Sequence, residues 1–415
     1  MTSQTAPAAP LAPVPAHVPQ ARIVDIDMYN PAGIAEEGYH AAWKKLQAPG
    51  TPSLVWTPRN GGHWIATRGA LIREVYSDPL NFSSRIIHLP KVAGQNSDFG
   101  LIQMDPPQHT AFREVIDEGL NIDAMQRVEA QIRDQAIELI ERFKDNGRCD
   151  FSAEYAGMFP IRVFMALADL PMEDADFLKV FTWHVTRPEG NTLEEMAQSM
   201  NSANQGILDY VAPVVDARLG KPGKDLISRT INTKVNGQEM TKDQMVSLIA
   251  LLLLAGLDTV VNFLSFFMEF LGRNPSYVKQ LTERPALLNR SVEELLRRFP
   301  LVCIGRILTK DLERDGVVLK EGDMVLLPTP LVGLDEQEND DPWTLDFQRK
   351  RISHATFGYG PHRCAGLHLA RLEVKVTLEE WLKRIPEFRV APGTHPVYQS
   401  GIVAAVDDLI LEWPV

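Results

Sequence analysis

The stretch Phe357-Gly358-Tyr359-Gly360-Pro361-His362-Arg363-Cys364-Ala365-Gly366 decides how the rest of this chain is read. It places one cysteine in a loop built almost wholly of turn residues, with basic side chains on its approach. Gly358, Gly360 and Gly366 allow a backbone to fold tightly around a sulfur and to turn amide N–H groups toward it. Such a loop suits a thiolate that stays ionised, hydrogen-bonded and shielded while it holds a metal. Two other readings compete: a structural cysteine beside a turn, and a zinc site from His354, His362, Cys364 and His368. The zinc spacings match no standard pattern, and the glycines would go unexplained.

Around this loop, the 415 residues are 45% apolar and 23% charged, which allows a large core and excludes global disorder. A formal net charge of −12 argues against nucleic acid as the main partner, because neutralising phosphates needs a basic face. The three cysteines, Cys149, Cys303 and Cys364, are too few and too odd in number for a disulfide framework. A reducing cytoplasm fits them best, with Cys149 and Cys303 as buried, inert thiols. Residues 1–22 are rich in proline and alanine without a basic start, and are read as a disordered or extended tail rather than a secretory signal. One folded domain is expected over residues 23–415.

Helical spacing dominates that domain, as in Ile122 to Phe143, Thr192 to Arg218 and Ala370 to Arg384. Thr241-Lys242-Asp243-Gln244 has the form of a capping box. The helix it opens is expected to run to about Gly272, where Gly-Arg-Asn-Pro stops it. Its apolar run Leu248 to Leu257 is too short to span a bilayer and reads as a buried core helix. Strand-like runs are few: Ser53 to Trp56, Leu409 to Trp413, and Val317 to Leu319 with Met324 to Leu327. The last two are expected to pair as a hairpin closed by Lys320-Glu321-Gly322-Asp323. The whole reads as one mainly α domain with a minor β part.

Ala255-Gly256-Leu257-Asp258-Thr259 lies mid-way along the long helix. Small residues at Ala255 and Gly256 leave room for a diatomic ligand, and Gly256 weakens a helix, which needs a reason. A threonine hydroxyl can bond a helix carbonyl one turn back. An acid beside it in an apolar helix is costly unless it is paired or handles protons. Glu294 and Arg297 stand at i and i+3, and His109 and Arg113 at i and i+4 after Pro106-Pro107, a helix start.

Phe357 to Gly366 fills every position of Phe-x-x-Gly-x-His/Arg-x-Cys-x-Gly and so resembles the haem-binding loop of cytochromes P-450. The likeness extends from about residue 23 to the C-terminus. It is closest to the camphor-hydroxylase family of bacteria in Gly62 to Gly69, Gly256 to Ser265, Glu293 to Phe299 and Ser400 to Val403. The resemblance implies a triangular, mainly helical fold with a small β region, a soluble monomer, haem b, and Cys364 as the axial thiolate of its iron. It implies that Phe357, Gly358, Gly366, Ala255 and Gly256 border the haem, and that His109, Arg113, Arg306 and His362 take its propionates. Thr259 and Asp258 match the oxygen-activation segment, with Asp258 in a proton relay. Glu294 and Arg297 match a structural pair behind the cysteine loop, with Asp346 to Arg349 as its partner stretch.

The same resemblance implies electrons from a [2Fe–2S] ferredoxin fed by an NADH-dependent reductase, docking on Arg73, Arg113, Arg351, Arg363 and Arg371. The departures fall in the substrate pocket. Ser97 stands where the family has a tyrosine that anchors the substrate ketone, Ile304 replaces an aspartate, Leu254 a valine and His88 a phenylalanine. The lining implied is His88, Ser97, Ile102, Leu251, Leu254, Ala255, Val302, Ile304, Ile402 and Val403. An apolar wall of this kind binds by burial with little directional recognition. The expected reaction is hydroxylation of an unactivated C–H bond of a compact, ionone-like terpenoid or norisoprenoid with O2. Camphor hydroxylation, peroxide-driven oxygenation and a non-enzymatic haem-thiolate sensor are the alternatives.

Overall fold

The computed structural model describes residues 11–95 and 99–415. Its axis is the helix Lys242–Arg273, which begins where the capping box requires. Gln244 N–H donates to Thr241 Oγ1 over 3.3 Å, and Thr241 N–H donates back to Gln244 Oε1 over 2.9 Å. Leu248, Ile249, Leu252, Leu253 and Leu257 are buried, so this helix lies inside the fold although it is long and apolar enough to cross a membrane. It packs against the helices Phe159–Ala168, Ala175–Thr186, Leu193–Arg218 and Leu367–Arg384, which wrap it from several sides. All the expected helices form, within a few residues of their read boundaries.

The β part is small. The main sheet has five strands in the order Leu54–Thr57, His63–Ala66, Met324–Pro328, Cys303–Leu308, Phe82–Ser83. Met324–Pro328 runs parallel to His63–Ala66 and antiparallel to Cys303–Leu308. The expected hairpin between Val317–Leu319 and the Met324 strand therefore does not exist. Val317–Leu319 instead folds back on Leu312–Arg314 through Asp315 and Gly316, both at positive φ (51° and 71°). An Asp-Gly pair is the strongest short hairpin signal, and it outranks the Lys-Glu-Gly-Asp turn. Met324–Pro328 is buried along its whole length, which suits an interior strand and not the second arm of an exposed ribbon.

Of the expected N-terminal tail, residues 1–10 lie outside the described residues. Residues 11–22 are not a loose tail. They lie along the sheet edge, where Ala12 N–H donates to the Pro58 carbonyl over 2.8 Å, Val18 is buried, and His17 Nε2 lies 2.9 Å from Asp323 Oδ2. Arg22 bonds Asp315 and the Leu54 carbonyl. Proline favours extended backbone, and here that backbone has a surface to lie on.

Candidate active site

The cysteine loop is held by its own backbone. Cys364 N–H donates to the Phe357 carbonyl over 2.8 Å, and Gly358 N–H to Ala355 over 2.8 Å. Gly358 and Gly360 sit at φ of 63° and 66°. A Cβ on Gly360 would lie 2.5 Å from the Tyr76 carbonyl oxygen, so the loop presses against the helix Gly69–Ser77 too closely for any side chain there. Cys364 opens onto space at its exposed surface yet lies deep among protein atoms. Burial raises its thiol pKa. An N–H from Gly366 and the charges of Arg113, Arg371 and Arg363 pull the other way.

Behind the loop, Glu294 and Arg297 are wholly inaccessible and joined by two bonds of 2.8 Å. Arg349 adds a third arm, with Nε 3.0 Å from Glu294 Oε1, and Asp346 N–H donates to that same oxygen over 3.0 Å. The remaining guanidinium hydrogens reach the carbonyls of Gly333, Pro342, Asp340 and Thr344. A Cβ on Gly333 would lie 1.9 Å from the Arg297 carbonyl oxygen, so that residue is fixed as glycine by the approach of backbone to backbone.

On the other side lies a cluster of two arginines and two histidines in which Arg306 has no acid of its own. The His109 and His362 rings are tilted by 48° with centroids 4.0 Å apart, and His109 Nδ1 and His362 Nε2 are buried without partners. Arg306 is 3% exposed and, among the described residues, donates only to its neighbour's carbonyl, at Gly305, over 2.8 Å. Arg113 bonds Asp117 over 2.6 Å and the Pro361 carbonyl over 3.2 Å, which ties its helix to the cysteine loop. Desolvation, followed by the nearby cations, holds His362 down to about 2 and His109 down to about 4. Orphaned donors and an arginine without an acid, converging on one side of a loop cysteine, fit a planar group that carries its own carboxylates.

The central helix supplies the opposite wall. Ala255 is exposed in the middle of a helix whose flanks are packed, so it borders an internal opening. Gly256 beside it is half-buried, and the place of its missing side chain is taken by the Phe164 ring, 2.5 Å from where a Cβ would stand, so the absence of a side chain there serves helix packing. Thr259 Oγ1 donates to the Ala255 carbonyl over 3.0 Å without breaking the helix. Asp258 is buried and fully engaged. It accepts from Arg187 Nη2 (3.0 Å) and Nη1 (3.3 Å), Thr186 Oγ1 (3.2 Å) and Asn262 Nδ2 (2.9 Å).

Leu251, Leu254 and Ala255 share one helix face at i, i+3 and i+4. Ile102 belongs to the short helix Gly100–Gln103, which packs on the central helix. Val302 pairs with Val403, and Cys303 N–H donates to the Ile402 carbonyl over 2.9 Å, so residues 302–304 and 402–403 lie side by side. His88 is buried, tilted 4.2 Å from the Phe99 ring, with Nδ1 unpartnered. Burial holds its pKa near 3, so it is neutral. Ser97 lies outside the described residues. The zinc alternative fails on geometry, since among the described residues no three His, Cys, Asp or Glu side chains converge as metal ligands.

Comparison with known proteins now agrees with the site. The family model "Cytochrome P450" matches residues 285–399. A curated relative from Sinorhizobium fredii, "Probable cytochrome P450 127A1", is 32% identical over 97% of both chains. The chain belongs to the cytochrome P-450 family. Among solved structures, CYP101J2 has a TM-score of 0.87 and 39% identity over 97% of this chain and 100% of that one. CYP101C1 has 0.87 and 36% over the same shares. This cytochrome P-450 is therefore a haem b monooxygenase close to the CYP101 group.

Of the residues singled out from the sequence, the structure gathers Cys364, His109, His362, Arg306 and Arg113 around one side of the loop. Arg73, Arg113 and Arg371 each meet an acid: Glu338, Asp117 and Glu293. Glu293 is desolvated, which would raise it, but bonds from His354 and Arg371 outweigh this and hold it at about 2. Arg351 and Arg363 are exposed. The sequence reading missed Arg187, Thr186 and Asn262, the partners of Asp258. Asn262 stood one turn along the same helix and was legible in principle; Arg187, 71 residues away, had no local signal.

Proposed function

We propose that this enzyme hydroxylates an unactivated C–H bond of a compact apolar terpenoid or norisoprenoid, with an ionone-like ring as the leading choice. The supporting observations are that Leu251, Leu254 and Ala255 share one helix face and that Val302, Ile304, Ile402 and Val403 lie side by side, none with a hydrogen-bonding side chain. Such a surface favours a ligand of about ten to thirteen carbons held by burial. His88 is the nearest neutral polar group, able to meet one ketone or hydroxyl oxygen.

The haem, when bound through Cys364, supplies oxygen activation, favoured by thiolate ligation. The chain's own residues do the rest. Arg306, His109, His362 and Arg113 would hold the haem propionates. Thr259, whose hydrogen is committed to the Ala255 carbonyl, keeps its lone pairs to accept a hydrogen bond from a water or other O–H group held beside Ala255. Asp258 passes protons toward that place once a donor on its carboxylate lets go. Electrons are assigned to a [2Fe–2S] ferredoxin and its NADH-dependent reductase, docking where Arg351 and Arg363 are exposed.

The test is a pair of optical titrations of the ferric protein, with β-ionone and with camphor. A low-to-high-spin blue shift of the Soret band with ionone and little with camphor is expected. A strong camphor shift with little for ionone would return the substrate assignment to camphor.

A further inference from the structure

Three backbone groups converge on one side chain beside the pocket. Gln103 ends the short helix Gly100–Gln103 and is half-buried. Its Oε1 accepts from the Phe99 N–H over 2.6 Å, and its Nε2 donates to the Arg85 carbonyl over 3.0 Å and, at longer range, to the Gly94 carbonyl over 3.5 Å. A neutral primary amide offers this combination of acceptor and donors, and the partners fix which end is oxygen. The two carbonyls meet there because Gly94 has no side chain. A Cβ on it would lie 2.8 Å from Ile86 Cγ2 and 3.5 Å from the His88 backbone nitrogen.

The amide joins two sides that are anchored on different parts of the fold. The helix that carries Gln103 packs on the central helix, where a Cβ on Gly100 would lie 3.0 Å from the Ser247 carbonyl oxygen. The other side hangs on the sheet. Gly305 N–H donates to the Ile87 carbonyl over 2.8 Å, the Tyr29 hydroxyl donates to the Leu89 carbonyl, and Lys91 Nζ donates to the Gly322 carbonyl over 2.7 Å. Ile102, next to Gln103, stands on the first side. His88 stands on the second, between the anchored Ile87 and Leu89, and Ile304 precedes the Gly305 that anchors it.

We propose that Gln103 is a positioning residue for the substrate, an uncharged clamp that sets the spacing between the Ile102 side and the His88 side of the pocket and so decides which carbon is presented for oxidation. Reaction requires the substrate carbon to be held close to the oxidant and aligned with it, so a small shift of one wall changes the product. Electron entry is assigned to the Cys364 side and proton handling to Asp258 and Thr259, so the clamp acts on selectivity and not on oxygen activation. The inference rests on the pocket reading above for its two walls, and not on the choice of ionone.

The experiment compares wild type, Gln103→Glu and Gln103→Met in the haem-loaded enzyme. Gln103→Glu keeps an acceptor for Phe99 but turns a carboxylate oxygen on two carbonyls, and Gln103→Met keeps the length of the side chain while removing all three bonds. Without substrate, amide hydrogen exchange in residues 85–95 is expected to rise several-fold in both variants, with exchange in the central helix and the melting temperature unchanged. With ferredoxin, reductase and β-ionone, the ratio of hydroxylated products is expected to shift and ionone to dissociate several-fold faster, with the rate of NADH use near that of wild type. Unchanged exchange in both variants overturns the proposal. Exchange that rises equally throughout the chain also overturns it, because Gln103 would then serve stability alone. So does an unshifted product ratio beside faster exchange in residues 85–95. The exchange measurement uses no substrate, so a wild type that oxidises camphor and not ionone overturns the substrate assignment alone, and the product ratio is then read with camphor.

Discussion

The amide of Cys364 donates to the carbonyl of Phe357 across 2.8 Å, and this one bond closes the loop that presents the sulfur. The closure requires Gly360 at φ 66° with its Cα against the Tyr76 carbonyl. Gly360→Ala adds positive-φ strain of about 1–3 kcal/mol and a backbone clash. Loss of haem retention is expected, read as the ratio of Soret to protein absorbance, with a lower melting temperature. Gly50→Ala, at φ 86° with nothing within 4 Å, carries the φ cost alone and should keep its haem.

Glu294 is the shared counter-ion of two buried guanidinium groups, those of Arg297 and Arg349. Glu294→Gln removes the charge and leaves Arg297 and Arg349 uncompensated, and breaking a buried ion pair in this way costs about 3–5 kcal/mol. Chemical denaturation should show that loss. A drop under about 1 kcal/mol, the range of an exposed pair, would mean that the backbone carbonyls around Arg297 suffice.

Much of this was legible in the sequence because the signals were local. The turn residues around Cys364, the Thr241 capping box and the 3.6-residue periodicity each act within a few positions. The hairpin error was local too: Asp315-Gly316 sat beside the turn that was chosen, and positive φ at both positions decided the pairing. What stayed hidden depends on distant partners. Nothing near Gly256 announces Phe164, and nothing near Asp258 announces Arg187. The unexpected packing of residues 11–22 is of this kind, since a proline-rich stretch looks the same whether or not a sheet edge awaits it.

His40, His63 and His88 are buried, and burial holds each near pKa 3 against 6.5 unfolded. Between those values the unfolded chain binds more protons, so stability is complete above pH 6.5 and falls as pH drops below it. The loss is about 1 kcal/mol per histidine over the first unit. Melting temperature should therefore fall steeply under mild acid. His63→Leu should remove one histidine's share of that slope, to which His109 and His362 also contribute, while leaving stability at neutral pH nearly unchanged. An unaltered slope would show that His63 is already protonated in the fold.

Arg363 is exposed, whereas Arg371 is held by Glu293 (Nη2 to Oε2, 3.0 Å) and lies 4.7 Å from the Phe357 ring. If a ferredoxin docks on this side, Arg363→Glu should raise its KM several-fold and weaken the salt dependence of the reaction, since an exposed cation steers association. Arg371→Gln should instead lower stability and haem retention, with a smaller effect on the ferredoxin KM. The reverse ranking, measured by steady-state kinetics over a salt series, would move the docking site away from Cys364.

Thr259 offers a hydroxyl oxygen beside Ala255 with its own hydrogen already given to the helix, so its role is to accept a bond and not to donate one. Thr259→Ala removes the acceptor and leaves the apolar packing of the helix intact. Electron uptake does not depend on that oxygen, but productive protonation does, and general acid–base positioning contributes about 10²-fold or more where it operates. The expected variant consumes NADH at a rate near that of the wild type, forms much less product and releases the difference as hydrogen peroxide. Thr259→Ser keeps the oxygen and should recover most of the coupling. Product per NADH equal to wild type in Thr259→Ala would take Thr259 out of the mechanism and leave Asp258 to act through water alone.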